Sequence, residues 1–336
     1  MKNFKMNLQL FANELQTTLL DGLSVEMKTF YDMTLIDEAA PALVHDQFGQ
    51  KRPIPKNGGK TIEFRKFSPL AKATTPLTEG VTPDGKSLNV SAITATVSQY
   101  GDYITQSDVL ELTSIDNTIL EATKLLGKQA GATLDTIVRD ILVAGTSVSY
   151  ASKWNGTTET EVTSRKNLDA TSTLKVDTIQ KVVAKLRAQN APTINGKYVA
   201  IIHPYVAYDL MRDPEWIDAH KYANPTNLYE GEIGEIAGVR FVQTTEAKIW
   251  KDDTCPTGLA VFGCLFIGEG AYGVTEITGG GLQTIVKQKG SAGTADPLDQ
   301  RSSVGWKAIK TAERLVENYM VRVECCSKFS ASAAAN

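Results

Sequence analysis

The sequence predicts an α+β fold, on three observations. A helical stripe of unusual length runs through residues 117–144. Before it, residues 60–104 alternate polar and apolar side chains around a turn-rich tip, as a two-stranded hairpin does. After residue 219 the chain breaks into short apolar runs divided by glycine clusters, the pattern of strands joined by turns.

Composition sets the bounds. With 336 residues, 42% hydrophobic and 22% charged, the chain can bury a sizeable core in one large domain or several ordinary ones. Thirty-five basic against 38 acidic residues give a net charge of −3, which supplies no whole-chain attraction to nucleic acid or an anionic membrane. Cys255, Cys264, Cys325 and Cys326 form no CxxC pair and have no histidine at zinc-ligand spacing. Free thiols in a reducing compartment are expected. No run reaches the ~18 apolar residues of a membrane span. Lys2 and Lys5 resemble a signal sequence, but Asn7, Gln9 and Asn13 interrupt the apolar run, so a soluble intracellular protein is expected.

The elements follow in order. Phe4, Leu8, Phe11, Leu15 and Leu19 recur at helical spacing, and a second helix is expected over 24–40, capped by Ser24 and stopped by Pro41. A basic lead then enters a strand over 60–67, a polar tip over 74–86, and a returning strand over 88–104. Phe64 and Phe67 are expected to pack on one side. Such a hairpin has too little apolar mass to stand alone in water and must lie against another surface.

The long stripe (Ile119, Thr123, Leu126, Ala130, Leu134, Ile137, Ile141) predicts a helix over 117–144, roughly 40 Å long at ~1.5 Å per residue. Gly127 and Gly131 inside it each cost about 1 kcal/mol relative to Ala, so close approach of another element or a kink is expected there. Residues 150–173 read as a polar loop or hairpin turning at Asn155 and Gly156. A helix over 176–190, a turn at Asn195 and Gly196, a buried strand over 198–202 and a helix over 205–212 suggest a small α/β layer. Strands over 238–242, 259–267, 272–278 and 284–287 follow, then a final strand pair, 303–310 with 319–323, and a frayed Ser/Ala tail.

Little points to catalysis. Gly58-Gly59-Lys60-Thr61 ends like a phosphate-binding loop, yet Ile54 stands where the first glycine belongs and a strand follows. Of three histidines, His45, His203 and His220, only His203 ends a buried strand, and a local hydrogen bond before Pro204 explains it best. Asp213, Glu215 and Asp218 around Trp216 read as a solvated turn before they read as a cation site. No catalytic, cofactor-binding or metal residue is assigned. The basic cluster Lys51, Arg52, Lys56, Lys60, Arg65, Lys66 and Lys72 faces only Glu63 within its span. An acidic protein face complements it as well as a nucleic acid would, and the stretch Glu230, Glu232, Glu235 is one candidate.

Several long segments resemble the major capsid proteins of tailed bacteriophages with the Hong-Kong-97-type fold, most nearly the subfamily of the coliphage called N-four. They are residues 51–70 (KRPIPKNGGKTIEFRKFSPL), 78–88 (TEGVTPDGKSL), 97–131 around YGDYITQSDVLELTSIDNTILEATKLLGKQAG, 201–244 around IIHPYVAYDLMRDPEW and LYEGEIGEIAGVRFVQT, and 296–324 (DPLDQRSSVGWKAIKTAERLVENYMVRVE).

The resemblance implies an N-terminal arm (1–50), an E-loop hairpin with flanking strands (51–105), and a peripheral domain with a spine helix (106–174). It further implies an axial domain with returning peripheral strands (175–315) and a C-terminal peripheral strand and tail (316–336). The implied function is self-assembly, as pentamers and hexamers, into the icosahedral head of a tailed phage around double-stranded DNA held without sequence-specific contacts. No enzymatic activity, cofactor or membrane partner is implied. Assembly would take place in the host bacterial cytoplasm, with a portal and, because little chain precedes the hairpin, a separate scaffold protein. Arg52, Lys60, Arg65, Lys66, Glu79, Glu230 and Glu232 are the candidate inter-subunit contacts. Lys72 and Lys86 are available for a covalent cross-link, which is not expected. A tail-tube or decoration protein is the runner-up, and an enzyme using His203 beside the Asp213–Asp218 acids is the rival from another class.

Overall fold

The computed structural model describes residues 35, 38–39, 43–67, 70–77, 79–82, 84–114, 118–156, 158–222, 233–291 and 296–336. The stripe over residues 4–19, most of the helix expected over 24–40, and Glu230 and Glu232 lie outside them. The chain divides into two compact units. One comprises Met1–Glu38, Gly101–Lys128 and Leu282–Lys307, the other Ala39–Tyr100, Gln129–Gly281 and Ala308–Asn336.

In the first unit, strand Gln283–Lys287 pairs antiparallel with residues 303–307 of strand Arg301–Arg314, setting Thr284 opposite Trp306 and Val286 opposite Val304. Strand Ser98–Ser107 pairs with the same long strand. Glycines permit this approach: a Cβ at Gly101 would meet the Trp306 carbonyl oxygen at 2.5 Å, and one at Gly305 would meet the Tyr103 Cβ at 2.7 Å. A short helix, Asp108–Thr113, follows the strand, capped by the Ser107 hydroxyl, which accepts from the Leu110 N–H at 3.3 Å. Its six residues are too few to show a helical period in the sequence.

The long helix is Thr118–Val143. Of its two glycines, Gly127 has one of the expected causes: a Cβ there would lie 2.8 Å from the Leu35 carbonyl oxygen and 3.0 Å from the Glu38 Cβ. Lys128 Nζ pairs with Glu38 at 3.6 Å across the same contact.

The second unit is built on a mixed seven-stranded sheet. Its order runs Val148–Tyr150, Met320–Cys325, Val261–Ile267, Tyr198–Ile202, Val239–Gln243, Glu235–Ile236, with Ile249–Trp250 also paired to Val261–Ile267. Tyr198–Ile202 and Val239–Gln243 run parallel, so their connection must cross over, and helices Pro204–Met211 and Pro214–Tyr222 occupy it. Alternate residues of the central strands point to opposite faces. Ala200, Ile202, Phe262, Cys264 and Phe266 pack with Ile179, Val183 and Leu186 of helix Val176–Ala188. Val199, Ile201, Leu265 and Ile267 pack with Val138 and Leu142 of the long helix. Burial on both faces explains why YVAII and VFGCLFI read as unbroken apolar runs.

Two expectations need correction. Arg301–Arg314 and Met320–Cys325 do not pair with one another but belong to different sheets, because the turn at Glu317–Tyr319 carries the chain from one to the other. The tail is not frayed. Ala260 donates its N–H to the Ala331 carbonyl at 2.7 Å, and the Asn336 side chain bridges the Ala247 carbonyl and the Ile249 N–H, both at 2.9 Å. Small Ser and Ala side chains let this segment lie close against the strand. The polar stretch after residue 150 forms the expected hairpin, Lys153–Asn155 with Thr158–Thr160.

Candidate assembly surface

The hairpin is held at its root by the second unit. Asp135 on the long helix is fully buried, and His45, 1% exposed, donates its backbone N–H to Oδ1 at 2.7 Å while its ring Nδ1 meets Oδ2 at 2.6 Å. The Tyr272 hydroxyl donates to the His45 carbonyl, and burial pushes that phenol well above its ordinary range. Gly49 lies against the Tyr272 ring, where a Cβ would come within 2.6 Å of Cε2.

From there the chain is strapped to strand Tyr272–Glu276. Gln50–Lys51 pairs parallel with Gly273 and Val274, and the Arg52 and Ile54 N–H groups donate to the Val274 and Glu276 carbonyls at 3.1 and 2.8 Å. Lys310, largely buried, pairs with Asp46 at 3.0 Å beside this strap.

Beyond the root, Asn57 and Gly59 adopt φ of +68° and +89°, turning the chain into strand Thr61–Phe67. That strand pairs antiparallel with Val90–Thr96. Cross-strand partners share a face, so Ile62, Phe64, Ile93 and Ala95 form one side, while Glu63, Arg65, Phe67, Val90, Ala92 and Thr94 form the other. The first side is covered by the chain itself. Phe64 is 3% exposed, and its ring sits where a Gly273 Cβ would be, 2.6 Å from Cε1.

Phe67 therefore does not share the side of Phe64. Three residues apart in a strand means opposite faces, and Phe67 is 60% exposed. It belongs to an uncovered apolar set with Val90 on the hairpin and Leu70, Leu77, Val81 and Leu88 at the tip. Nothing in the local sequence pattern signals this set. Its members are scattered singly over residues 67–90 among polar, proline and glycine positions, so no apolar run marks them as a group.

The charged candidates fall on the same projection. Arg52 lies over the Phe64 ring at 5.8 Å. Lys60, Arg65 and Glu79 are exposed and Lys66 is half-buried. Lys86 donates to the Ala71 carbonyl at 3.2 Å across the tip. Of the proposed acidic stretch only Glu235 is described, and it pairs with Lys197 of its own chain.

The residues weighed for chemistry have structural partners. His203 caps helix Pro204–Met211, its Nδ1 accepting from the Tyr205 N–H at 3.1 Å, and desolvation holds its pKa below the ordinary value. Asp213 accepts from the Val176 N–H at 2.9 Å and so caps another helix. Gly58–Gly59–Lys60 leads into a strand and offers no helix N-terminus. All four cysteines are buried and free. The Glu324 carboxylate, fully buried, accepts both arms of the Arg165 guanidinium at 2.7 Å, and that guanidinium stacks 4.1 Å from the Trp250 ring. This cluster ties the loop around Arg165 to the last strand. A groove of about 1200 Å³ is lined by side chains such as Gln47, Phe48, Lys197, Glu235 and Arg240, with no histidine, cysteine or serine among the described residues on its walls. Among the described residues no group of His, Cys, Asp and Glu is placed to hold a metal ion, and no helix is long and apolar enough to cross a membrane.

The chain thus presents a hairpin strapped at its root to strand Tyr272–Glu276, with uncovered apolar side chains at its tip. Solved shells share its fold. The capsid of Ralstonia phage GP4 is 14% identical, covering 85% of this chain and 88% of that one at a TM-score of 0.63. The capsid of cyanophage P-SCSP1u is 13% identical, covering 84% and 87% at 0.63. The capsid chain of cyanophage Pam1 is 12% identical, covering 97% and 99% at 0.62. The fold is thus that of a phage capsid subunit, α+β and of the Hong-Kong-97 type. The sequence profile described as phage capsid protein matches residues 89–312, and the chain belongs to that family, as a major capsid protein of a bacteriophage virion. A comparison with curated proteins gives no match.

Proposed function

We propose that the hairpin of residues 51–105 is the E-loop, that it lies on an adjacent copy in pentamers and hexamers of an icosahedral head, and that Thr118–Val143 is the spine helix. The observation that carries this reading is the uncovered apolar set on a well-anchored projection: Leu77 is 77% exposed and Leu88 66%, in a segment whose root is held by strand pairing. An exposed patch of this kind is the mark of a protein interface. Arg52, Lys60, Arg65, Lys66 and Glu79 lie on the same projection and orient the contact, since charges at the edge of an interface set approach and specificity more than affinity.

On the same reading the subunit stands nearest the N-four-like subfamily. It assembles in the host cytoplasm with a separate scaffold and a portal, encloses double-stranded DNA without gripping it, and performs no catalysis. The net charge of −3 is consistent with a shell that does not bind its DNA strongly. The test is direct: purified protein, with its scaffold where required, gives closed shells or capsomers in negative-stain images. A strictly monomeric species under every assembly condition refutes the reading, and tubes in place of shells point to a tail protein.

A further inference from the structure

We infer that helix Asp108–Thr113 is the seat on which the hairpin tip of a neighbouring copy comes to rest; this rests on the reading of the hairpin as an inter-subunit arm. The helix is an anomaly within its own chain. It has six residues and none is buried. Its apolar side chains Val109, Leu110 and Leu112 are 62%, 47% and 81% exposed. Helices shorter than ~12 residues are marginal in water, and most helical stability in proteins comes from packing an apolar face.

Yet this helix is built with care. Ser107 caps its start at 3.3 Å, the Ser114 N–H returns to the Leu110 carbonyl at 2.9 Å, and Asp108 donates its N–H to the Gln300 carbonyl at 3.0 Å. Lys289 pairs with Glu111 at 3.0 Å. A capped helix with an exposed apolar face is the mark of an interface, and on the reading above a second subunit supplies its cover.

Charge selects which part of that subunit. The helix presents Asp108 and Glu111 beside its leucines, with Lys289 offsetting only part of the acid. Its own face on a second copy would set acid against acid. The arm between Arg65 and Val90 carries Arg65, Lys66, Lys72 and Lys86 against Glu79 and Asp84, interleaved with exposed Leu70, Leu77, Val81 and Leu88. Apolar meets apolar and cation meets carboxylate, the pairing that gives an interface both cohesion and register. Glu111 and Asp108 then take the part that the sequence reading gave to Glu230 and Glu232.

The native cysteines are buried, so introduced surface thiols are the reactive ones. The full chain carrying both Leu88→Cys and Leu112→Cys, assembled and treated with a short bis-maleimide, should give a ladder of covalent oligomers on denaturing gels. Either single substitution should not. Normal particles without a ladder overturn the seat and leave the arm reading intact, and dimers from Leu112→Cys alone show the helix meeting its own copy and also overturn it. Assembly of a chain whose residues 70–88 are replaced by a short Gly-Ser turn sinks the underlying reading instead. Independently of any substitution, amide exchange of residues 108–113 should slow by about tenfold or more on assembly of the wild-type chain; unchanged exchange refutes the proposal.

Discussion

Asp135 holds His45 by both of its carboxylate oxygens, Oδ1 on the backbone N–H at 2.7 Å and Oδ2 on the ring at 2.6 Å, across 90 residues of sequence. The pair fastens the root of the hairpin to the long helix, and both side chains are essentially inaccessible to water. Breaking a buried pair by removing one partner is more damaging than its net worth, because the other is left desolvated and unpaired. Asp135→Ala should cost roughly 3–5 kcal/mol, read as a lower midpoint in chemical denaturation of the unassembled subunit. Asp135→Asn keeps one acceptor oxygen and should cost visibly less.

Gly127→Ala tests whether the glycine is there for packing. In an exposed helix the change would stabilise by about 1 kcal/mol. Here the new Cβ meets the Leu35 carbonyl at 2.8 Å and the Glu38 Cβ at 3.0 Å, and backbone cannot swing aside as a flexible side chain does. Overpacking of this kind costs about 1–3 kcal/mol, so the variant should melt lower than wild type. Faster proteolysis near residue 38 would locate the damage.

Reversing charge at Arg65 and Lys66 together should leave the circular dichroism and melting of the subunit unchanged while reducing its yield of particles. Phe64→Ala should do the opposite in kind. It removes a buried ring packed over Gly273, should lower stability by roughly 3–5 kcal/mol, and loses assembly as a consequence. Normal assembly by the double reversal would show that the arm docks without electrostatic guidance.

The cysteines give a pH prediction. Burial pushes the Cys326 thiol up to about 12 and raises Cys255 as well. A raised native pKa leaves stability untouched below the unfolded thiol range near ~8.5 and erodes it as pH climbs from there toward 12. Ellman's reagent at pH 8 should therefore find no fast-reacting thiol in the native chain and all four cysteines in denaturant. Rapid native labelling would contradict the burial.

Much of the architecture was readable along the chain, because it rests on near-neighbour periodicity. Thr118–Val143 and the strand at Thr61–Phe67 fall close to where 3.6- and 2-residue repeats place them. What escaped depends on residues far apart. Asp135 looks like one more polar position on a helix until His45 arrives from 90 residues away, and Arg165 meets Glu324 across 159. The misplaced Phe67 was an error of period: residues three apart adjoin on a helix and oppose on a strand. Helix Asp108–Thr113 falls in the gap between the strand expected over 88–104 and the helix expected over 117–144, since six residues carry too little of either period to be recognised.

The strap that ties Gln50 to Ile54 along strand Tyr272–Glu276 has a mechanical meaning. Its hydrogen bonds lie side by side along a parallel pair. A pull that follows the chain outward loads them in shear, all at once, and cannot peel them apart singly. If the hairpin serves as an inter-subunit arm, tension along it would pass through this strap into the sheet of its own subunit. A lattice of such subunits would share an outward push from its contents the way riveted plates share a load.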